Sequence, residues 1–90
     1  MPKVQLVLLN IFHLKTGKKK LDYEGETIGD IIKQFLNEYK SKLNDEILNK
    51  KKNKLDSNIL ILLNGKNEKD YKKKLQEGDK LYLSYPLSGG

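Results

Sequence analysis

The apolar positions of this chain keep different periods in different stretches, and each stretch predicts an element. Val4 to Phe12 is rich in branched and aromatic apolar residues and predicts a strand. Thr16-Gly17 fits a hairpin turn, and Lys19 to Glu24 fits the partner strand, with Leu21 and Tyr23 alternating against charges. Gly25 breaks that alternation. Thr27 then takes the place of a helix N-cap, and Asp30, three residues on, supplies a variant of the capping box and a favourable first-turn charge. From there Ile28, Ile31, Ile32, Phe35, Leu36, Tyr39 and Leu43 form one stripe at helical spacing, with Lys33, Asn37, Glu38 and Lys40 opposite. Residues 44–58 are polar and predict a long loop, with a helical turn near Ile47-Leu48. Ile59 to Leu63 is an unbroken apolar run ending at the turn dipeptide Asn64-Gly65. An irregular segment leads to Leu75, Gly78 is expected at positive φ, and Lys80 to Tyr85 is the last strand, ended by Pro86.

The order strand, strand, helix, strand, short segment, strand implies an α+β fold: a mixed sheet with one main helix packed on one face. In the first strand Leu6, Leu8 and Phe12 point one way, and Val7, Leu9 and Ile11 the other. Near the third, Ile59, Ile61 and Leu63 oppose Leu60 and Leu62. One helix covers one face only. Either the 44–58 loop shields the second face, or that face is an apolar surface that meets a partner.

Length and composition narrow the function. Ninety residues make one domain, and 37% hydrophobic against 33% charged residues is enough apolar content to fold. The sequence contains no cysteine, which excludes a disulfide, a thiol nucleophile and a thiolate metal site, and fits a reducing, cytoplasmic setting. The single histidine, His13, cannot build a zinc site or a histidine relay alone and reads as structural or exposed. All 18 basic residues are lysines against 12 acidic ones, a net charge of +6. Without arginine, and without aromatics interleaved among the lysines, nothing supports nucleic-acid binding. The triplets Lys18-Lys19-Lys20, Lys50-Lys51-Lys52 and Lys72-Lys73-Lys74 fall where turns or loops are expected, as solvated surface or a landing site for an acidic partner. No apolar run has the length of a membrane span or of a signal peptide, so no membrane association is expected. Tyr82 and Tyr85 read as sheet packing.

The last residues, Pro86-Leu87-Ser88-Gly89-Gly90, divide the chain into a domain over 1–86 and a flexible tail over 87–90. Glycine lacks a Cβ, so a diglycine can thread a narrow channel and bring a carboxylate to a nucleotide. Three further pieces accompany it: Thr27-Ile28-Gly29-Asp30-Ile31-Ile32 opening the helix, Ile61-Leu62-Leu63-Asn64-Gly65 closing the third strand, and Leu75-Gln76-Glu77-Gly78-Asp79-Lys80-Leu81 before the last. With Tyr85-Pro86-Leu87-Ser88-Gly89-Gly90, which looks like a Pro-x-x-Gly-Gly tail, the chain resembles the ubiquitin-like β-grasp sulfur carriers of the MoaD/ThiS group, and also small archaeal modifier proteins.

The resemblance implies a β-grasp sheet with the first and last strands as parallel central neighbours and the Ile28–Leu43 helix across one face; within the apolar stripe of that helix, Ile31, Ile32, Phe35 and Leu36 are expected to be buried. It implies that Gly90 is adenylated by a ubiquitin-activating-type enzyme using ATP and magnesium. A sulfur donor protein then converts it to a thiocarboxylate, with Gly89, Ser88, Leu87 and Pro86 recognised as the tail. The Pro86-x-x-Gly-Gly ending points to the small subunit of molybdopterin synthase, partner of the catalytic large subunit. Conjugation through Gly90 to lysines, or sulfur delivery in thiamine synthesis, are the alternatives. On this reading the chain is a carrier and not an enzyme, with no permanently bound cofactor and no metal.

Overall fold

A computed structural model of the chain describes residues 1–43, 48–49, 54–55 and 57–86. The elements are β1 (Lys3–Leu8), α1 (Asn10–Thr16), β2 (Lys20–Glu24), α2 (Ile28–Tyr39), β3 (Leu48–Asn49), β4 (Lys54–Leu55), β5 (Leu60–Leu63), β6 (Lys66–Asn67) and β7 (Lys80–Ser84), with a 3-10 turn over Lys40–Lys42 after α2. The main sheet has the order β2-β1-β7-β5-β6. β1 and β7 are parallel, with Leu6 opposite Leu81 and Leu8 opposite Leu83; β2 and β5 flank them antiparallel. The expected parallel pair is therefore at the centre.

Alternation decides the layers. Val4, Leu6, Leu8, Ile61, Leu81 and Leu83 are buried and share one core with Ile28, Ile31, Ile32, Phe35 and Leu36 of α2. Thr27 caps α2 through its side chain, which accepts from Asp30 N at 3.2 Å, while Asp30 Oδ2 accepts from Thr27 N at 3.2 Å and Glu26 N at 3.0 Å. That is the reciprocal capping box expected from the sequence. The α-helix ends at Tyr39, earlier than the stripe suggests, yet Leu43 is still buried because the 3-10 turn carries it back to the core.

Two expectations need correction. The strand expected over Val4 to Phe12 stops at Leu8, and Thr16-Gly17 is not a hairpin turn. Asn10 takes φ 38° and the chain enters α1, which buries Phe12 and Thr16 one helical turn apart. Thr16 Oγ1 donates to Phe12 O at 2.8 Å and accepts from Lys18 N at 3.1 Å, and Gly17, at φ 74°, closes the helix in the left-handed conformation. A continuous apolar run fits a buried strand or a buried helix equally, so periodicity could not separate them.

The second correction is in residues 44–58. Its described part is a small hairpin, Leu48 opposite Leu55 and Asn49 opposite Lys54, and Leu55 is buried in the core beside α2. Leu48 is in a strand and not a helical turn; Ile47 lies outside the described residues. Asn64 and Gly65, at φ 52° and 91°, make the expected turn, which joins β5 to β6 where only irregular chain was expected. Gly78 has the expected positive φ, 86°.

Candidate functional site

The expected chemistry is at the carboxyl end of β7, so the site is built from the residues that root that end. β7 is hydrogen-bonded to β1 on one side and β5 on the other, which leaves its direction little freedom. Tyr85 follows and packs, half-buried, against the core; Pro86 is also half-buried. Leu87, Ser88, Gly89 and Gly90 lie outside the described residues.

Parallel pairing of β1 and β7 puts α1 at this same end, where it packs on β7. Asn10, at the start of α1, reaches across to the strand end. Its Nδ2 donates to Ser84 Oγ at 3.0 Å and to Tyr85 O at 2.9 Å, and its Oδ1 accepts from Tyr85 N at 3.1 Å. The sequence reading missed Asn10. The available signal was a polar residue that tolerates left-handed backbone placed inside an apolar run.

The sheet face away from the core carries the row Val7, Tyr82, Leu62 across β1, β7 and β5, with Leu60 opposite Ser84 beside it. Val7, Tyr82, Leu60 and Leu62 are all half-buried. The described part of residues 44–58 is on the helix side, so among the described residues no element of that segment shields this face. Tyr82 belongs to the open row and Tyr85 to the core edge.

The other singled-out residues carry little chemistry. Lys18, Lys19 and Lys20 are exposed at the start of β2, Lys72 to Lys74 are exposed before Leu75, and Lys50 to Lys52 lie outside the described residues. His13 is tied locally, its Nδ1 3.0 Å from Lys18 O. Burial pushes the Tyr23 phenol far above its ordinary range, and the Glu38 carboxylate adds to the shift, although Tyr23 Oη makes no hydrogen bond of good geometry. Burial raises Tyr71 as well, opposed by a hydrogen bond to the Leu55 backbone. Among the described residues there is no group of three or more histidine, cysteine, aspartate or glutamate side chains able to hold a metal, and no helix long and apolar enough to cross a membrane.

A scan of family models and a search of curated proteins find no match to this sequence. Solved structures do match over its full length. Small archaeal modifier protein 1 (SAMP1) from Methanosarcina acetivorans is 26% identical with a TM-score of 0.84, covering 100% of this chain and 98% of its own. SAMP1 from Haloferax volcanii is 21% identical with a TM-score of 0.81, covering 98% and 99%. A chain from the complex of subunits 1 and 2 of molybdopterin-converting factor from Helicobacter pylori is 17% identical with a TM-score of 0.66, covering 98% and 99%. The central parallel pair, the capped helix across one face and these full-length superpositions place the chain in the ubiquitin-like β-grasp fold, the fold of the sulfur carriers and modifiers its sequence resembles.

Proposed function

We propose that the chain is a ubiquitin-like sulfur carrier whose Gly90 carboxylate is the group that reacts. A carboxylate oxygen attacks the α-phosphorus of ATP, bound with magnesium on an activating enzyme, and pyrophosphate leaves. Sulfide then attacks the acyl carbon and AMP leaves, giving a thiocarboxylate at Gly90. Where the persulfide of a donor protein attacks instead, AMP leaves an acyl disulfide, and a second thiol cleaves its S–S bond, forming a disulfide with the donor cysteine and freeing the same thiocarboxylate. This chain supplies the substrate carboxylate and the surface that delivers it, while catalytic groups belong to its partners. The observation that carries the reading is the doubly bonded central β7, which runs into Tyr85-Pro86 at the end of a fold that superposes on small archaeal modifier protein 1 at full length.

The likeness to a molybdopterin-converting factor complex supports sulfur delivery as the small subunit beside a larger partner, docked through the open row Val7, Tyr82 and Leu62. Conjugation of Gly90 to target lysines is the second reading, favoured by the likeness to two archaeal modifiers. Gly89, Ser88, Leu87 and Pro86 are the proposed recognition tail, and sulfur use is proposed for the cytoplasm.

The test is intact mass after incubation with an adenylating enzyme, ATP, magnesium and sulfide. The full chain should gain one sulfur in place of one oxygen, and a chain lacking Gly90 should not, with its melting temperature unchanged. Deletion withdraws the carboxylate by roughly 3.3–3.6 Å, the rise of one extended residue, against a tolerance of about 1 Å for reacting groups. Full sulfur loading without Gly90 would refute the assignment.

A further inference from the structure

Backbone pairing between β1 and β7 runs out just before the tail. Leu8 is opposite Leu83, and Leu9 N, just past β1, donates to Leu83 O at 3.0 Å, the last backbone rung on this side before Asn10. Asn10 then turns at φ 38° into α1, so the backbone that would have paired with Tyr85 is withdrawn. The Asn10 carboxamide takes its place. Oδ1 accepts from Tyr85 N at 3.1 Å while Nδ2 donates to Tyr85 O at 2.9 Å, gripping both polar groups of one residue as a strand neighbour would. The remaining positions of the amide are used too: Nδ2 donates to Ser84 Oγ at 3.0 Å, and Oδ1 accepts from Ile11 N at 2.7 Å, which orients the group. Two donors and two acceptors are all that an asparagine has. A surface asparagine with all four positions used, three of them on one strand end, is not an ordinary solvated side chain.

The residue gripped is Tyr85, and Pro86 after it has no N–H to offer. Tyr85 therefore carries the last backbone amide before the proposed tail. We propose that Asn10 is a positioning residue that fixes the direction in which the chain leaves the sheet toward Gly90. A partner seated on the body then receives the carboxylate along a defined line. The inference rests on the reading of Gly90 as the reacting carboxylate. Aspartate would keep the acceptor and lose both donors, and glutamine would carry the amide one methylene too far.

Asn10→Gly tests it, because glycine accepts the positive φ and removes only the carboxamide. Amide hydrogen exchange at Tyr85, with Leu81 and Leu83 as references, reports the clamp. Adenylation kinetics against carrier concentration, with an adenylating enzyme, ATP and magnesium, report its use. Tyr85 exchange should rise about tenfold with Leu81 and Leu83 unchanged. KM for the carrier should stay within about twofold while kcat falls about five- to tenfold, since docking is kept and delivery is not. Asn10→Asp should fall between the two.

Unchanged exchange at Tyr85, or unchanged kcat with faster exchange, overturns the proposal. A kcat loss accompanied by faster exchange at Leu81 and Leu83 also overturns it, because the residue then acts on the whole fold. The chain lacking Gly90 serves as the control. If it is adenylated like the parent, the carboxylate reading has failed, and Tyr85 exchange alone then decides whether Asn10 holds the strand end.

Discussion

Phe12 and Leu14 are two residues apart in a short helix, and replacing each with alanine separates a helix from a strand at this place. Phe12 is fully buried, 0% exposed, and its ring meets Phe35 with centroids 6.2 Å apart and planes at 56°. Leu14 is 79% exposed. In a helix of 3.6 residues per turn, positions two apart point in nearly opposite directions; in a strand they share a face. Emptying the Phe12 site removes a ring from a core that relaxes only partly, at about 3–5 kcal/mol. A chain of this length is expected to have a total stability of about 5–13 kcal/mol, so Phe12→Ala consumes at least about a fifth of it. At about 4–8 °C per kcal/mol for a domain of this size, the melting temperature should fall by at least ~12 °C.

Leu14→Ala should stay within about 0.5 kcal/mol of the parent, as surface changes do. Urea unfolding followed by circular dichroism measures both, and a common m-value shows that the two variants unfold from the same compact state. Similar losses for the two variants would mean that residues 10–16 are a strand after all. A large loss confined to Leu14→Ala would mean that α1 is rotated.

Tyr23→Phe removes a buried hydroxyl that makes no good hydrogen bond, so at neutral pH it should leave stability equal or up to about 1 kcal/mol higher. Tyr23 also binds its proton more tightly folded than unfolded: its stability contribution is full below the unfolded value near 10 and is lost as pH rises toward the folded one, by up to about 1.4 kcal/mol per pH unit. Urea titrations at neutral pH and at about pH 11 should show a shallower alkaline loss in Tyr23→Phe; an unchanged slope would remove Tyr23 as its source. Tyr82→Lys places a charge in the middle of the open row without entering the core. It should leave the melting temperature within about 3 °C and weaken binding to the larger partner subunit by roughly 30-fold, the scale of a central aromatic anchor. Unchanged affinity would mean that the partner docks elsewhere.

The parts of the fold written in local interactions were legible in the sequence. The capping box lies within five residues, Glu26 to Asp30, and the α2 stripe repeats at one period, so Ile31, Ile32, Phe35 and Leu36 could be named as core from spacing alone. The central pairing of β1 with β7 was not in any spacing and came from the family resemblance. α1 was hidden because Leu8-Leu9 and Ile11-Phe12 continue the apolar run, while the interrupting Asn10 reverses the backbone through its φ. Leu55 was hidden because one apolar residue among lysines has no period. Of the candidate site, the tail was singled out in the sequence by residue identity and position, and its residues 87–90 lie outside the described ones. Asn10 carries its role only through Tyr85, 75 residues away, and no local pattern encodes that pairing.

The misread strand and the clamp are one structural fact. A strand continued through Phe12 would have offered β7 further backbone rungs at and beyond Tyr85, drawing the chain after it into the sheet. The turn at Asn10 withdraws that backbone and leaves a side-chain rung in its place, on Tyr85, the last residue before Pro86. From Tyr85 to Gly90 are five residues, which fully extended reach at most about 18 Å. On the proposed reading, the position of this rung sets how far from the body the carboxylate can be presented. Moving it by one residue changes that reach by roughly 3.5 Å, while reacting groups tolerate about 1 Å. On the β1 side, a rung made by a side chain and not by another length of strand fixes one residue, Tyr85, and that is the resolution the proposed delivery requires.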